Sequence, residues 1–181
     1  MSTRAPVAGF ERVGAAPSQK QLFEQVSASC SGLISRIALA CEPDEALRKI
    51  LIQDILLAVW VALASFRGDC SFRIFVAGIA HRRAISHMTR HPRAPGRAGL
   101  SANLMPPSLA PNGAAMSNDK KQHVVNAIQQ LPIPLREVIV LCFEGFSDAE
   151  IGQALGLSEA AAIARCRRAR SALRMTAEQG R

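Results

Sequence analysis

The sequence predicts an all-α protein of two small helical domains joined by a flexible linker, the C-terminal one a helix-turn-helix. Three observations carry this. Apolar residues recur at three- and four-residue intervals through most of the chain, with no two-residue alternation of the kind a half-buried strand shows. The period is lost across residues 91–118, which hold five of the ten prolines together with Gly96, Gly99 and Gly113. Near the end, Ser147-Asp148-Ala149-Glu150, Gly156 and Ser158 punctuate two short apolar stripes as cap, turn and cap. The 181 residues suit one ordinary domain or two small ones, and 49% hydrophobic residues exclude a wholly disordered chain.

Residues 1–19 are rich in Ala, Gly and Pro and read as a loose tail. Leu22, Phe23, Val26, Leu33, Ile34 and Ile37 mark a first helix from Lys20 to about Ala40. Pro43 and Asp44 end it, and Asp44 is placed to cap the next. Ala46 to Phe66 is apolar nearly all round, which predicts a central buried helix. After the turn at Arg67-Gly68-Asp69, Phe72, Phe75, Val76, Ile79 and Ala80 recur as one face of a helix that runs to about Arg90. Their spacing assigns Phe72 and Phe75 to the core. These three helices form a domain over 20–90, the linker spans 91–118, and helical pattern resumes over 119–175 with a break at Leu131-Pro132-Ile133-Pro134. In the last helix Ala162, Cys166, Ala169 and Leu173 make the inward seam, so Ala160, Ala164, Arg167 and Ser171 point outward.

Charge locates the surfaces. The formal net charge is +8, and residues 66–97 carry seven basic side chains against one acidic. A second cluster, Arg165, Arg167, Arg168, Arg170 and Arg174, lies on the final helix with no acid among residues 163–174. Two local cationic clusters far apart in sequence point to one polyanion touched twice, nucleic acid first. Five cysteines, odd in number and without C-x-x-C spacing, fit a reducing cytoplasm and no zinc cluster. The longest apolar run, Ile55 to Ala64, is too short to span a bilayer. No phosphate loop, paired carboxylates or nucleophile–His constellation stands out, so neither catalytic residue, cofactor, metal nor small-molecule substrate is expected.

Leu131-Pro-x-x-x-Arg136-Glu137-Val138, Leu141, Glu144-Gly145-Phe146-Ser147, Glu150-Ile151, Leu155-Gly156-Leu157-Ser158 and Arg165-x-x-Arg168-Ala169-Arg170 resemble region 4 of bacterial RNA polymerase sigma factors. Gln53-Asp54 with Trp60 is similar to region 2.2; Phe66-Arg67-Gly68, Ser71-Phe72-Arg73, Ile79-Ala80 and Ala84-Ile85-x-His87 are similar to regions 2.3 and 2.4. The compact two-part plan resembles the extracytoplasmic-function (ECF) group. The resemblance implies that residues 20–90 dock on core RNA polymerase through Gln53 and Asp54. It implies that Arg73, His81, Arg82, Arg83 and Arg90 engage the melted minus-ten element. The minus-thirty-five element then falls to Ser158, Ala160, Ala164, Arg165, Arg167, Arg168 and Ser171. It further implies promoter DNA and core polymerase as partners, control by an anti-sigma factor, and a cytoplasmic protein that a membrane anti-sigma factor can retain at the inner membrane face. The sigma factor itself performs no chemistry.

Three places depart from the family pattern. Lys49-Ile50 stand where an acidic pair is usual; His81-Arg82 and Ser86 replace the usual Arg-Asn and Asp; and the recognition helix opens with Ala160-Ala161-Ala162-Ile163-Ala164. Alanine contacts only a thymine methyl, so affinity there is expected from Arg–phosphate contacts. Two further readings share these residues: a sigma mimic that binds an anti-sigma factor without initiating, and an ordinary helix-turn-helix regulator, which leaves the first domain unexplained.

Overall fold

The computed structural model describes residues 17–91 and 118–179; the expected tail, up to residue 16, and the expected linker, over 92–117, lie outside the described residues. The described residues form seven helices: α1 Gln19–Cys41, α2 Glu45–Leu63, α3 Phe72–Arg90, α4 Asn118–Gln130, α5 Ile133–Phe143, α6 Asp148–Leu155 and α7 Glu159–Gln179.

Each start has a local chemical cause. Ser18 and Gln21 form a capping box at α1, the Gln21 side chain accepting from the Ser18 amide at 2.8 Å. Asp44 accepts from the Leu47 amide at 2.9 Å, and Ser71 accepts from the Ile74 amide at 3.3 Å. Pro134 lies in the first turn of α5, where its missing N–H costs no helical bond.

In the N-terminal half α1, α2 and α3 pack around Val26, Cys30, Ile34, Leu51, Ile55 and Val76. Phe72 and Phe75 pack half-buried against the core and cluster with Phe66, their ring centroids 5.2 and 4.6 Å from its own. Arg48 and His87 are structural. Arg48 is buried and donates to the carbonyls of Glu42 at 3.3 Å and Pro43 at 3.0 Å, holding the α1–α2 corner. His87 Nε2 lies 3.1 Å from the buried Glu42 carboxylate.

Helix α2 differs from the expectation of burial all round. It buries one face against α1 and α3 and leaves Ile50, Leu57 and Val61 more than half exposed, at 54%, 62% and 63%. Among the described residues α1 and α3 supply its main packing, and these cover one side of its apolar circumference.

In the C-terminal half α5, α6 and α7 enclose Val138, Ile139, Ile151, Ala162, Cys166 and Ala169. The Ser147–Glu150 capping box starts α6, and Gly156 ends it at φ +68°, a left-handed conformation that costs glycine least. The Leu157 amide then closes the turn on the Gly152 carbonyl at 2.8 Å.

The two halves are not held apart. α1 and α3 pack against α4, α5 and α6, and the buried side chains of both halves form one continuous cluster. Apolar matching explains this: Ile37, Cys41 and Ala77 of the first half meet Val140, Leu141 and Leu155 of the second around a small gap.

Candidate nucleic-acid interface

Two cationic surfaces emerge. The first lies on α3. Arg82 and Arg90 are exposed. Arg83 leans on α2, its Nη1 3.6 Å from Asp54 Oδ1. Gln53 is exposed and Asp54 half-buried. Two candidate sites that are separate in sequence therefore share one shallow hollow, lined by Asp54, Leu57, Val61, Ile79, Arg82 and Arg83. Of these, Leu57 and Val61 are exposed apolar side chains, and Ile50 is a third exposed one on the same helix. Sequence reasoning missed that apolar face, although an all-round apolar helix in a three-helix half was a signal for it.

The other two residues of the α3 set face the C-terminal half. Arg73 Nη2 donates to the Glu144 carbonyl at 2.5 Å, and its guanidinium carbon sits 4.7 Å from the centroid of the Phe146 ring. His81 Nδ1 lies 2.8 Å from Glu137 Oε1, with both side chains largely buried, though without hydrogen-bond alignment. Of the five residues expected at the minus-ten element, Arg82, Arg83 and Arg90 thus lie away from the C-terminal half, and Arg73 and His81 contact it. Arg73 and His81 are occupied because α3 packs against α6, which brings the α5–α6 turn and Glu137 of α5 within reach.

The second surface is the outer face of α7. Ala160, Ala164, Arg167, Arg168 and Ser171 are all exposed, while Ala162, Cys166 and Ala169 are buried, matching the helical wheel. Arg165 is half-buried beside the seam. Ser158 spends its hydroxyl as the α7 cap, accepting from the Ala161 amide at 3.3 Å. Ile163, which the wheel reading passed over, is 40% exposed next to Ala160 and Ala164.

Two titratable groups here depart from their usual ranges. Hydrogen bonds from the Ser147 amide, at 2.8 Å, and hydroxyl hold the Glu150 carboxyl below its usual value, with a small contribution from Arg73. The folded form favours the carboxylate, so the cap's contribution is complete above about pH 4.5 and is lost as pH falls through the lowered value. Burial pushes the Cys166 thiol up, helped by Cys142, whose sulfur is 3.2 Å away, and by Asp148. Cys166 is therefore a protonated packing residue. Among the described residues no group of His, Cys, Asp and Glu side chains is arranged to hold a metal ion, and no helix is long and apolar enough to cross a membrane.

Comparison with known proteins follows the same division. The model of sigma-70 region 2 matches residues 28–94, and that of sigma-70 region 4 matches residues 121–173. A probable RNA polymerase sigma factor, RfaY, of Xanthomonas campestris pv. campestris is 28% identical over 165 residues. That match covers 88% of this chain and 41% of the relative, so the chain spans less than half of that protein's length. The ECF RNA polymerase sigma factor ShbA of Streptomyces griseus is 31% identical over 135 residues, 71% of each chain. Two solved structures share the fold. CnrH, in complex with the cytosolic domain of CnrY, has a TM-score of 0.65 at 24% identity, covering 88% of this chain and 90% of that one. The sigma factor RpoE, in complex with the anti-sigma factor NepR from Bartonella quintana, has a TM-score of 0.69 at 21% identity, covering 88% of this chain and 98% of that one.

Proposed function

Because this chain belongs to the sigma-70 family of RNA polymerase sigma factors, within which its architecture is that of the ECF group, we propose that it binds core RNA polymerase and directs promoter-specific transcription initiation in the cytoplasm under the control of an anti-sigma factor. The observation that carries this is the order of the two matched regions, each with its own cationic helix surface. The chain supplies positioning and strand recognition, and the phosphoryl-transfer chemistry belongs to the polymerase.

In this reading core polymerase docks at the α2 hollow, where Gln53 and Asp54 offer polar contacts beside the exposed Leu57 and Val61. Arg82, Arg83 and Arg90 hold the opened minus-ten strand by charge. Arg167 and Arg168 contact phosphates at the minus-thirty-five element. In vitro transcription on genomic fragments, with core polymerase alone as control, tests the function. The wild-type chain yields specific transcripts. Gln53→Ala with Asp54→Ala lowers core affinity by about thirtyfold while circular dichroism stays unchanged, since surface contacts of this size contribute about 1 kcal/mol each. A chain that neither binds core nor initiates on any fragment favours a sigma mimic, the reading that Lys49-Ile50 and the Ala-rich start of α7 support.

The start of α7 also defines what kind of base it meets. Ala160, Ile163 and Ala164 present only aliphatic groups, so they match the C5-methyl of thymine and no hydrogen-bonding edge. Substituting deoxyuridine for thymidine in the minus-thirty-five element removes those methyls and nothing else. Binding measured with this substitution is expected to weaken several-fold, about 1 kcal/mol in all. Equal binding to both duplexes excludes methyl readout.

A further inference from the structure

One cluster of reactive side chains plays no part in the proposed function. Cys142, near the end of α5, and Cys166, on the inner seam of α7, bring their sulfurs to 3.2 Å, the Cys142 thiol donating. Both are free thiols. Cys166 is 1% exposed and lies between Ala162 and Ala169, which are fully buried. Cys142 is half-buried at the edge of the same core, so a small solute reaches it first. An S–S bond is about 2.05 Å long, so closing one here asks the two side chains for about 1.2 Å of approach, shared between them. Cys30 and Cys41, by contrast, share α1 and stand about 16 Å apart along its axis, beyond the reach of a disulfide.

We propose that Cys142 and Cys166 are a site of reversible oxidation by peroxide, at which a disulfide staples α5 to α7 across the helix-turn-helix. Cys142 reacts first. Its thiol gives a proton to water, and the thiolate sulfur attacks one oxygen of hydrogen peroxide. The O–O bond breaks, and the departing hydroxide takes up a proton to become water. The product is Cys142 sulfenic acid. The Cys166 sulfur, already in contact, then attacks the sulfenyl sulfur. The S–S bond forms, the S–O bond breaks, and the hydroxyl leaves as water with the Cys166 proton. Asp148, at the start of α6 beside Cys166, is the carboxylate on hand to pass that proton on. Two thiols and one peroxide give one disulfide and two waters, and the sulfurs lose the two electrons that the peroxide gains.

The division of roles follows from position. Burial keeps the Cys166 thiol protonated and slow toward peroxide by itself, while its contact with Cys142 makes it the resolving thiol. The two residues are 24 apart in sequence, and the loop they close holds the α5–α6 turn, all of α6, the Gly156 turn and the start of α7. Cross-linking such a loop restricts the unfolded chain, so the linked helix-turn-helix resists unfolding. A thiol reductant reverses the link by thiolate attack on the disulfide, as suits a redox-sensing pair in a reducing compartment. The site lies wholly within α5–α7, and its chemistry holds whether or not the chain initiates transcription.

The test treats the reduced full chain with hydrogen peroxide and maps its disulfides by mass spectrometry of peptides digested without reductant. The native chain yields a Cys142–Cys166 link with the loss of two hydrogens, and dithiothreitol restores both thiols. Chain oxidised in urea, where the contact is lost, spreads its links over the five cysteines. Cys142→Ser forms no link at Cys166. Cys166→Ala leaves Cys142 as a sulfenic acid, which the cyclic diketone dimedone traps. Should Cys166→Ala lose helicity, Cys142→Ser decides alone. The linked chain unfolds in urea with its midpoint raised by about 1 M, followed by circular dichroism. Native chain that keeps both thiols free, or links them no more often than chain in urea, overturns the site. A linked chain no more stable than the reduced one overturns the staple.

Discussion

Replacing Arg167 and Arg168 together with Ala is expected to lower affinity for promoter DNA on the order of 100-fold, as charge-assisted contacts contribute about 1.5 kcal/mol or more each. The slope of log affinity against log salt should shrink by about two, one for each lost phosphate contact. Both side chains are exposed, and Arg168 Nε donates to the Ala164 carbonyl on its own helix at 3.4 Å. Folding is therefore untouched, and thermal unfolding of the double variant should match wild type. Relative affinities among promoter sequences should change little, because phosphates carry no sequence information directly. Fluorescence anisotropy of labelled promoter DNA with the assembled holoenzyme, repeated across salt concentrations, measures all three. An unchanged salt slope would remove α7 from the DNA contact.

Ile151→Ala is expected to cost about 2–5 kcal/mol of stability and lower the melting midpoint by roughly 10 °C. Ile151 is fully buried in the first turn of α6, a helix of 8 residues that packs against both α3 and α7. So short a helix has little intrinsic stability, and Ile151 is the largest side chain it buries, beside Ala154. The loss combines transfer of the removed methyl groups with a cavity that the Ser147–Glu150 cap and the Gly156 turn keep from collapsing. Urea unfolding followed by circular dichroism measures it. A change under 1 kcal/mol would show that α6 repacks freely, and α6 could not then orient α7.

The capping and turn chemistry of the C-terminal half was fully legible in the chain. Ser147, Glu150, Gly156 and Ser158 each act through partners within five residues, so their roles follow from local geometry. The outward face of α7 was legible for the same reason, since 3.6 residues per turn sets which side chains share a side. Ile163 was passed over because an apolar residue is expected inside, and no local rule exposes it. Arg73, His81 and Arg36 share one limitation. A cationic side chain reads as surface in a sequence, yet each found a partner 56 or more residues away, in Glu144 or Glu137. Arg48 and His87 are basic residues that the fold turned into internal braces.

By itself the sequence determined the all-α class, the helical segments with the caps at Asp44, Ser147 and Ser158, the two cationic clusters and the family. Periodicity, capping and motif spacing are short-range properties that a linear text carries whole. Only the tertiary structure decided that α2 keeps an apolar face open beside Asp54, that α3 is partly covered, and that the halves meet through Arg36 and Glu144. Those outcomes depend on which faces are left without a neighbour once every helix has packed, a sum over long-range contacts that no local pattern encodes.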